Sequence, residues 1–98
     1  MTSDRPLDDT ELQRVLWACY DCWQGQELPP GQRDVCYTWV VPTYQRRFRI
    51  AFPQHRLLTL SKLGLLRKAD TARAAHRRYY KLVDPQQVAE LLRNCGLL

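Results

Sequence analysis

Eleven lysines and arginines crowd into residues 43–83, and a single acid, Asp70, stands among them. They are Arg46, Arg47, Arg49, Arg56, Lys62, Arg67, Lys68, Arg73, Arg77, Arg78 and Lys81. The stretch carries a formal charge of +10, whereas residues 1–42 carry −4 and residues 84–98 carry −1. Charge of one sign concentrated in this way attracts polyanions, and nucleic acid is the commonest polyanion in a cell.

Other chemistry is poorly provided for. Cys19 and Cys22 form a C-x-x-C pair, and Cys36 and Cys95 could complete a zinc set, but neither belongs to a second C-x-x-C. A zinc site needs N or S ligands converging on a tetrahedron. The pair falls inside a predicted helix, where the thiols act as small hydrophobes on one face. No metal and no cofactor is therefore expected. A hydrolase triad and a phosphate-binding glycine loop are both missing from the sequence. His55 and His76 lie on basic elements, away from the acidic N-terminal part, and no base can be assigned to a thiol nucleophile. The expectation is a binding protein, not an enzyme.

The 98 residues make one domain with one modest core. No run of about 18 apolar residues exists, so no membrane span and no membrane partner is expected. The acidic, polar start lacks the marks of a signal peptide, which points to the cytoplasm.

These candidate residues must be held by a few short elements. After a flexible start (1–7), residues 8–24 read as an amphipathic helix, with Leu12, Val15, Leu16, Cys19, Tyr20 and Trp23 recurring at spacings of three and four. Asp8 would cap it, with Glu11 as the capping-box partner. A turn-rich loop follows. VCYTWVV (35–41) suits a short buried strand or the lead-in to a helix. Pro42 suits the first turn of a new helix. Tyr44 and Phe48 favour that helix, although Phe48, Ile50 and Phe52 also alternate like a strand.

PQHRLLTLSKL (53–63) starts again on a proline. Leu57, Leu60 and Leu63 share one face, and His55, Arg56, Thr59 and Lys62 the other. Gly64 stands where a left-handed residue would stop the helix. LLRK (65–68) and RRYYKLV (77–83) read as two strands of a hairpin with a basic tip at 69–76. Of Tyr79 and Tyr80, one ring must turn inward. Asp84 and Pro85 open a terminal helix over 84–96.

Residues 44–66, YQRRFRIAFPQHRLLTLSKLGLL, followed by RRYYKLVDP, resemble the winged helix-turn-helix domain of bacterial and phage regulators. Tyr44 and Phe48 take the first-helix positions, residues 49–52 the turn, and Leu57, Leu60, Gly64, Leu65 and Leu66 the rest of the pattern. Two positions depart from it: Arg49 stands where glycine or asparagine is common, and residues 72–75 replace a glycine-rich wing tip. The resemblance implies an α+β, mainly α fold: a three-helix core, a helix-turn-helix over 42–64, a short β-hairpin wing over 65–83 and an extra C-terminal helix.

It also implies function: sequence-specific binding of double-stranded DNA, as a transcriptional regulator. Helix 53–63 would enter the major groove, with Gln54, His55, Arg56, Thr59 and Lys62 on base edges. Thr43, Arg46, Arg47, Arg49 and Ser61 would meet the backbone. The wing over 69–77, through Arg73, His76, Arg77 and Arg78, would meet the backbone or a minor groove. Replacing Arg56 should then relax base preference. The least basic helices, the first and the last, would join a homodimer on the far side. No small-molecule ligand is evident. The alternatives are a winged-helix module that binds protein, and a phage or plasmid accessory factor for replication or excision.

Overall fold

A computed structural model describes residues 9–69 and 78–98. The chain is α+β and mainly helical. Its elements run α1 (Thr10–Gln24), β1 (Val35–Cys36), α2 (Tyr37–Phe48), α3 (His55–Lys62), β2 (Leu66–Lys68), β3 (Tyr79–Leu82) and α4 (Pro85–Asn94). The three strands form one antiparallel sheet in the order β1-β3-β2.

The first helix sits at the centre. It buries Leu12, Val15, Leu16, Ala18, Cys19 and Trp23, and it packs against α2, α3, α4 and β1. Its cap is Asp9, one residue later than the expected Asp8, which lies outside the described residues. The Asp9 carboxylate accepts from the backbone N–H groups of Glu11 (2.9 Å) and Leu12 (3.2 Å), two of the donors that a helix start leaves unpaired.

The VCYTWVV run does both things its composition allowed. Val35 and Cys36 pair with Tyr80 and Tyr79 of β3. The Tyr37 N–H donates to the Arg78 carbonyl at 3.0 Å, and the chain then coils. The helix thus begins five residues ahead of Pro42, which lies inside it instead of opening it. The proline stands well inside the helix, where the bond its N–H would have made to the Thr38 carbonyl is lost. The Thr43 hydroxyl adds a bond to the Trp39 carbonyl at 3.0 Å.

At its far end α2 stops on Arg49, whose φ of 61° and ψ of 29° are left-handed. The Arg49 N–H reaches the Gln45 carbonyl at 2.9 Å, closing the helix end. Beneath this turn the Tyr44 ring meets Phe48 (5.0 Å) and Phe52 (5.2 Å), and Phe52 also meets Tyr37 (6.0 Å). The edge-on contacts of Phe52 with Tyr44 and Tyr37 tie the turn after α2 back onto that helix.

The next helix is shorter than the leucine pattern suggested. Leu57 and Leu60 are buried, but Leu63 follows the last helical residue and is 54% exposed. Gly64, at φ 82°, takes the left-handed position expected of it. Its N–H bonds to the Ser61 carbonyl and that of Leu65 to the Leu60 carbonyl, which delivers Leu65 and Leu66 to the core in Leu63's place. In β3 one tyrosine ring turns inward as expected, and the other is buried too. Tyr80 lies on the core side, and Tyr79, on the opposite face, is covered edge-on by Trp39 at 6.2 Å. The last helix starts as expected, with the Asp84 carboxylate accepting from the Gln87 N–H. The basic tip of the hairpin, residues 70–77, lies outside the described residues.

A side chain in the left-handed region costs about 1 kcal/mol relative to glycine, partly offset by glycine's greater freedom when unfolded. Arg49→Gly is therefore expected to stabilise the fold by roughly 0.5 kcal/mol and Arg49→Val to destabilise it by about 1 kcal/mol or more. Urea unfolding midpoints check both.

Candidate nucleic-acid interface

An open groove of about 730 Å³ runs between α3 and the paired strands. Gln54, His55, Leu57, Leu58 and Ser61 line one side; Lys68, Arg78 and Tyr80 line the other. None of these is a carboxylate, and Lys68 and Arg78 are cationic. The register explains the second side. Lys68 lies directly across from Tyr80 in the β2–β3 ladder, so both side chains leave the sheet on the face that meets α3.

Arg78 is held from two directions. Its guanidinium lies 5.8 Å from the Tyr37 ring centroid and hydrogen-bonds the Tyr80 side chain. Burial pushes the Tyr80 phenol above its ordinary pKa, against the opposing pull of the Arg78 charge and hydrogen bond. The phenol therefore stays a neutral hydroxyl at physiological pH, and the groove keeps its positive sign.

The orientation of α3 sorts its side chains differently from the sequence expectation. Gln54, Leu58 and Ser61 face the groove, and His55 and Lys62 are exposed. Arg56 turns the other way. Its Nε donates to Glu11 Oε1 at 2.6 Å and its Nη1 lies 3.3 Å from Asp9 Oδ2. The one arginine of this helix is thus paired with the start of α1 and does not reach out as a free fork. Thr59 is half-buried, with its hydroxyl directed to the His55 carbonyl at 3.5 Å.

Other candidate residues divide in the same way. Thr43 is buried, bonded to Trp39 and in contact with the Cys22 thiol at 3.5 Å, so it does not reach a phosphate. Arg47 lies over Trp17, 4.3 Å from the ring centroid, and donates to the Leu97 carbonyl at 3.4 Å. This contact points it toward α1 and the C-terminal residues. Arg46 and Arg49 are exposed. Arg73, His76 and Arg77 lie outside the described residues. Lys68, Leu58 and Tyr80 were not among the sequence candidates. The strand alternation in LLRK was a usable signal for Lys68, and the apolar stripe through Leu57 and Leu60, which leaves Leu58 off the core face, was one for Leu58.

The thiols do not converge. Among the described residues no three His, Cys, Asp or Glu side chains are grouped to hold a metal ion. Cys19 and Cys36 are buried in the core, and Cys22 and Cys95 are half-buried. Burial drives the Cys19 thiol far above its ordinary pKa, with a smaller push from Cys22. Burial also raises that of Cys22, the Thr43 contact opposing it. Neither is an activated nucleophile. Among the described residues no helix is long and apolar enough to cross a membrane.

No protein-family model, curated protein or solved structure matches this chain.

The Arg56 pair is part-exposed, so its net worth is about 1 kcal/mol at most, falling with salt. Arg56→Ala is expected to lower the melting temperature modestly at low salt and less at high salt. Iodoacetamide at mildly alkaline pH is expected to spare Cys19 and Cys36 in the folded chain and to label them after unfolding, as peptide mass analysis would show.

Proposed function

We propose that this chain is a winged helix-turn-helix protein that binds double-stranded DNA sequence-specifically, as a transcriptional regulator. The observation that carries the reading is the shared groove: the open face of α3 and the strand cations Lys68 and Arg78 front the same space, with no carboxylate among the described residues that line it. The order helix, strand, two helices joined by a left-handed turn, then two antiparallel strands supports the fold assignment.

In this reading α3 enters the major groove. Gln54 and His55 at its first turn, with Lys62 further along, address base edges. Arg46, Arg49, Ser61, Lys68 and Arg78 bind the sugar-phosphate backbone and fix the register. Arg56 is a positioning residue: it sets how α3 sits on α1. A two-fold dimer through the outer surfaces of α1 and α4 would present two such helices to a palindromic site. The exposure of Leu58, Leu63 and Ile50 (59%, 54% and 48%) favours a second reading, a module whose basic face receives an acidic protein.

Fluorescence anisotropy with labelled duplexes separates the two. DNA binding should weaken steeply with salt, with a log–log slope of about −4 to −5 if the exposed cations Arg46, Arg49, Lys62, Lys68 and Arg78 each neutralise a phosphate. Lys68→Gln and Arg78→Gln should each weaken binding to all duplexes alike and reduce the slope by about 1. A chain that binds no duplex at low salt would leave only the protein-binding reading.

A further inference from the structure

We propose that Leu58 is the specificity-determining residue of this surface and that it reads the C5-methyl group of a thymine in the major groove. The inference rests on the DNA-binding reading and names what that binding selects.

The helix spends its other apolar residues on the core. Leu57 is 2% exposed and Leu60 is fully buried, so they hold α3 against the rest of the molecule. Leu58 is 59% exposed, within the eight-residue helix and on the wall of the groove. Leu63 and Ile50, also large, apolar and exposed, lie outside the helices, just past the ends of α3 and α2. Nothing of that kind accounts for Leu58. A helical position at the middle of a polar face accommodates lysine or glutamine at no cost in stability.

Its neighbours define the partner. Gln54 is one turn before it, Ser61 and Lys62 lie one turn after, and Lys68 and Arg78 face it from the strands. An apolar centre with a polar, cationic rim, and no carboxylate among the described residues around it, is complementary to the floor of the major groove at a thymine, the base edge there that offers a methyl group. Phosphates and sugars on either side meet the rim. Gln54 can pair bidentately with adenine N6 and N7. Four helical residues advance about 6 Å, so Gln54 and Leu58 reach base pairs one or two steps apart. The preferred half-site is accordingly A·T-containing, with an adenine read by the amide and a thymine read by the leucine.

The test uses the full chain. Duplexes are first selected from a random library at fixed salt. Each thymine of the enriched duplex is then replaced singly by deoxyuridine, which removes the methyl and changes no hydrogen-bonding group. Affinities are measured by anisotropy for the native chain and for Leu58→Ala, whose fold is checked by thermal melting. The expected result is one thymine per half-site at which uracil lowers the native chain's affinity by about four-fold, the worth of one buried methyl-sized group. Leu58→Ala should lose about the same factor on the thymine duplex and show no further loss on uracil. Specific binding with a flat uracil scan would overturn the assignment to Leu58 while leaving DNA binding intact. So would a Leu58→Ala chain that remains as uracil-sensitive as the native one. Failure to bind or enrich any duplex at low salt would remove the DNA reading itself, and this proposal with it.

Discussion

The rotation of α3 about its own axis decides what this surface can touch. Two interactions fix it. Leu57 and Leu60 enter the core beside α1, each burial worth about 1.5–3 kcal/mol. On the adjacent flank Arg56 pairs with Glu11 and Asp9. The first interaction sets which face points inward, and the second resists rolling about that contact. A helix turned by one residue position would carry Arg56 outward and leave Leu58 against α1. Asp9 has two roles here: the carboxylate that caps α1 also holds the recognition-helix candidate, so the start of one helix is coupled to the set of another.

Much of the backbone was legible because its punctuation is local chemistry. Asp84 with Pro85, and Gly64 after Lys62, mark their boundaries through hydrogen bonds made within a few residues. The amphipathic stripe of α1 was equally plain, since six buried positions recur with the helical period. What the sequence hid depends on distant partners. Pro42 signals a helix start by its own preference, but the actual start is set at Tyr37 by the Arg78 carbonyl, 41 positions away in the chain. Thr43 and Tyr79 are polar enough to suggest exposure, yet Cys22 and Trp39 cover them. Periodicity places the apolar stripe of α3 through Leu57 and Leu60, both buried, and leaves Leu58 off it, exposed. Leu63 fits the stripe but falls past the helix end, where Gly64 turns the chain away.

The charge count also needs sorting before it means anything for binding. Part of the positive charge is committed to structure. Arg47 rests on Trp17, Arg33 lies 4.7 Å from the Trp23 ring centroid, and Lys81 pairs with Asp34 at 2.7 Å. Arg56 is paired as described. These groups hold flat aromatic or carboxylate surfaces in place, and a polyanion would have to compete for them. Arg46, Arg49 and Lys68 project from the surface, and Arg78 combines exposure with anchoring on Tyr37 and Tyr80. An anchored cation loses less freedom on binding than a free one, so Arg78 is the better-organised contact of the set.

The left-handed Arg49 ties this distribution to the fold. A glycine at the end of α2 would make the same turn with less strain, but would leave no side chain there. An arginine in that conformation places an exposed charge at the hinge between the two helices, where the DNA-binding reading needs a contact to the flanking backbone. The strain is opposed by the aromatic packing of Tyr44, Phe48 and Phe52 beneath the turn, which fixes the path of the chain whatever residue stands at its apex. A surface position that costs stability and contributes charge is one where function and folding pull in opposite directions. Leu58 belongs with it, as an apolar side chain left in water on the wall of a groove that carries Lys68 and Arg78; both positions break a local rule.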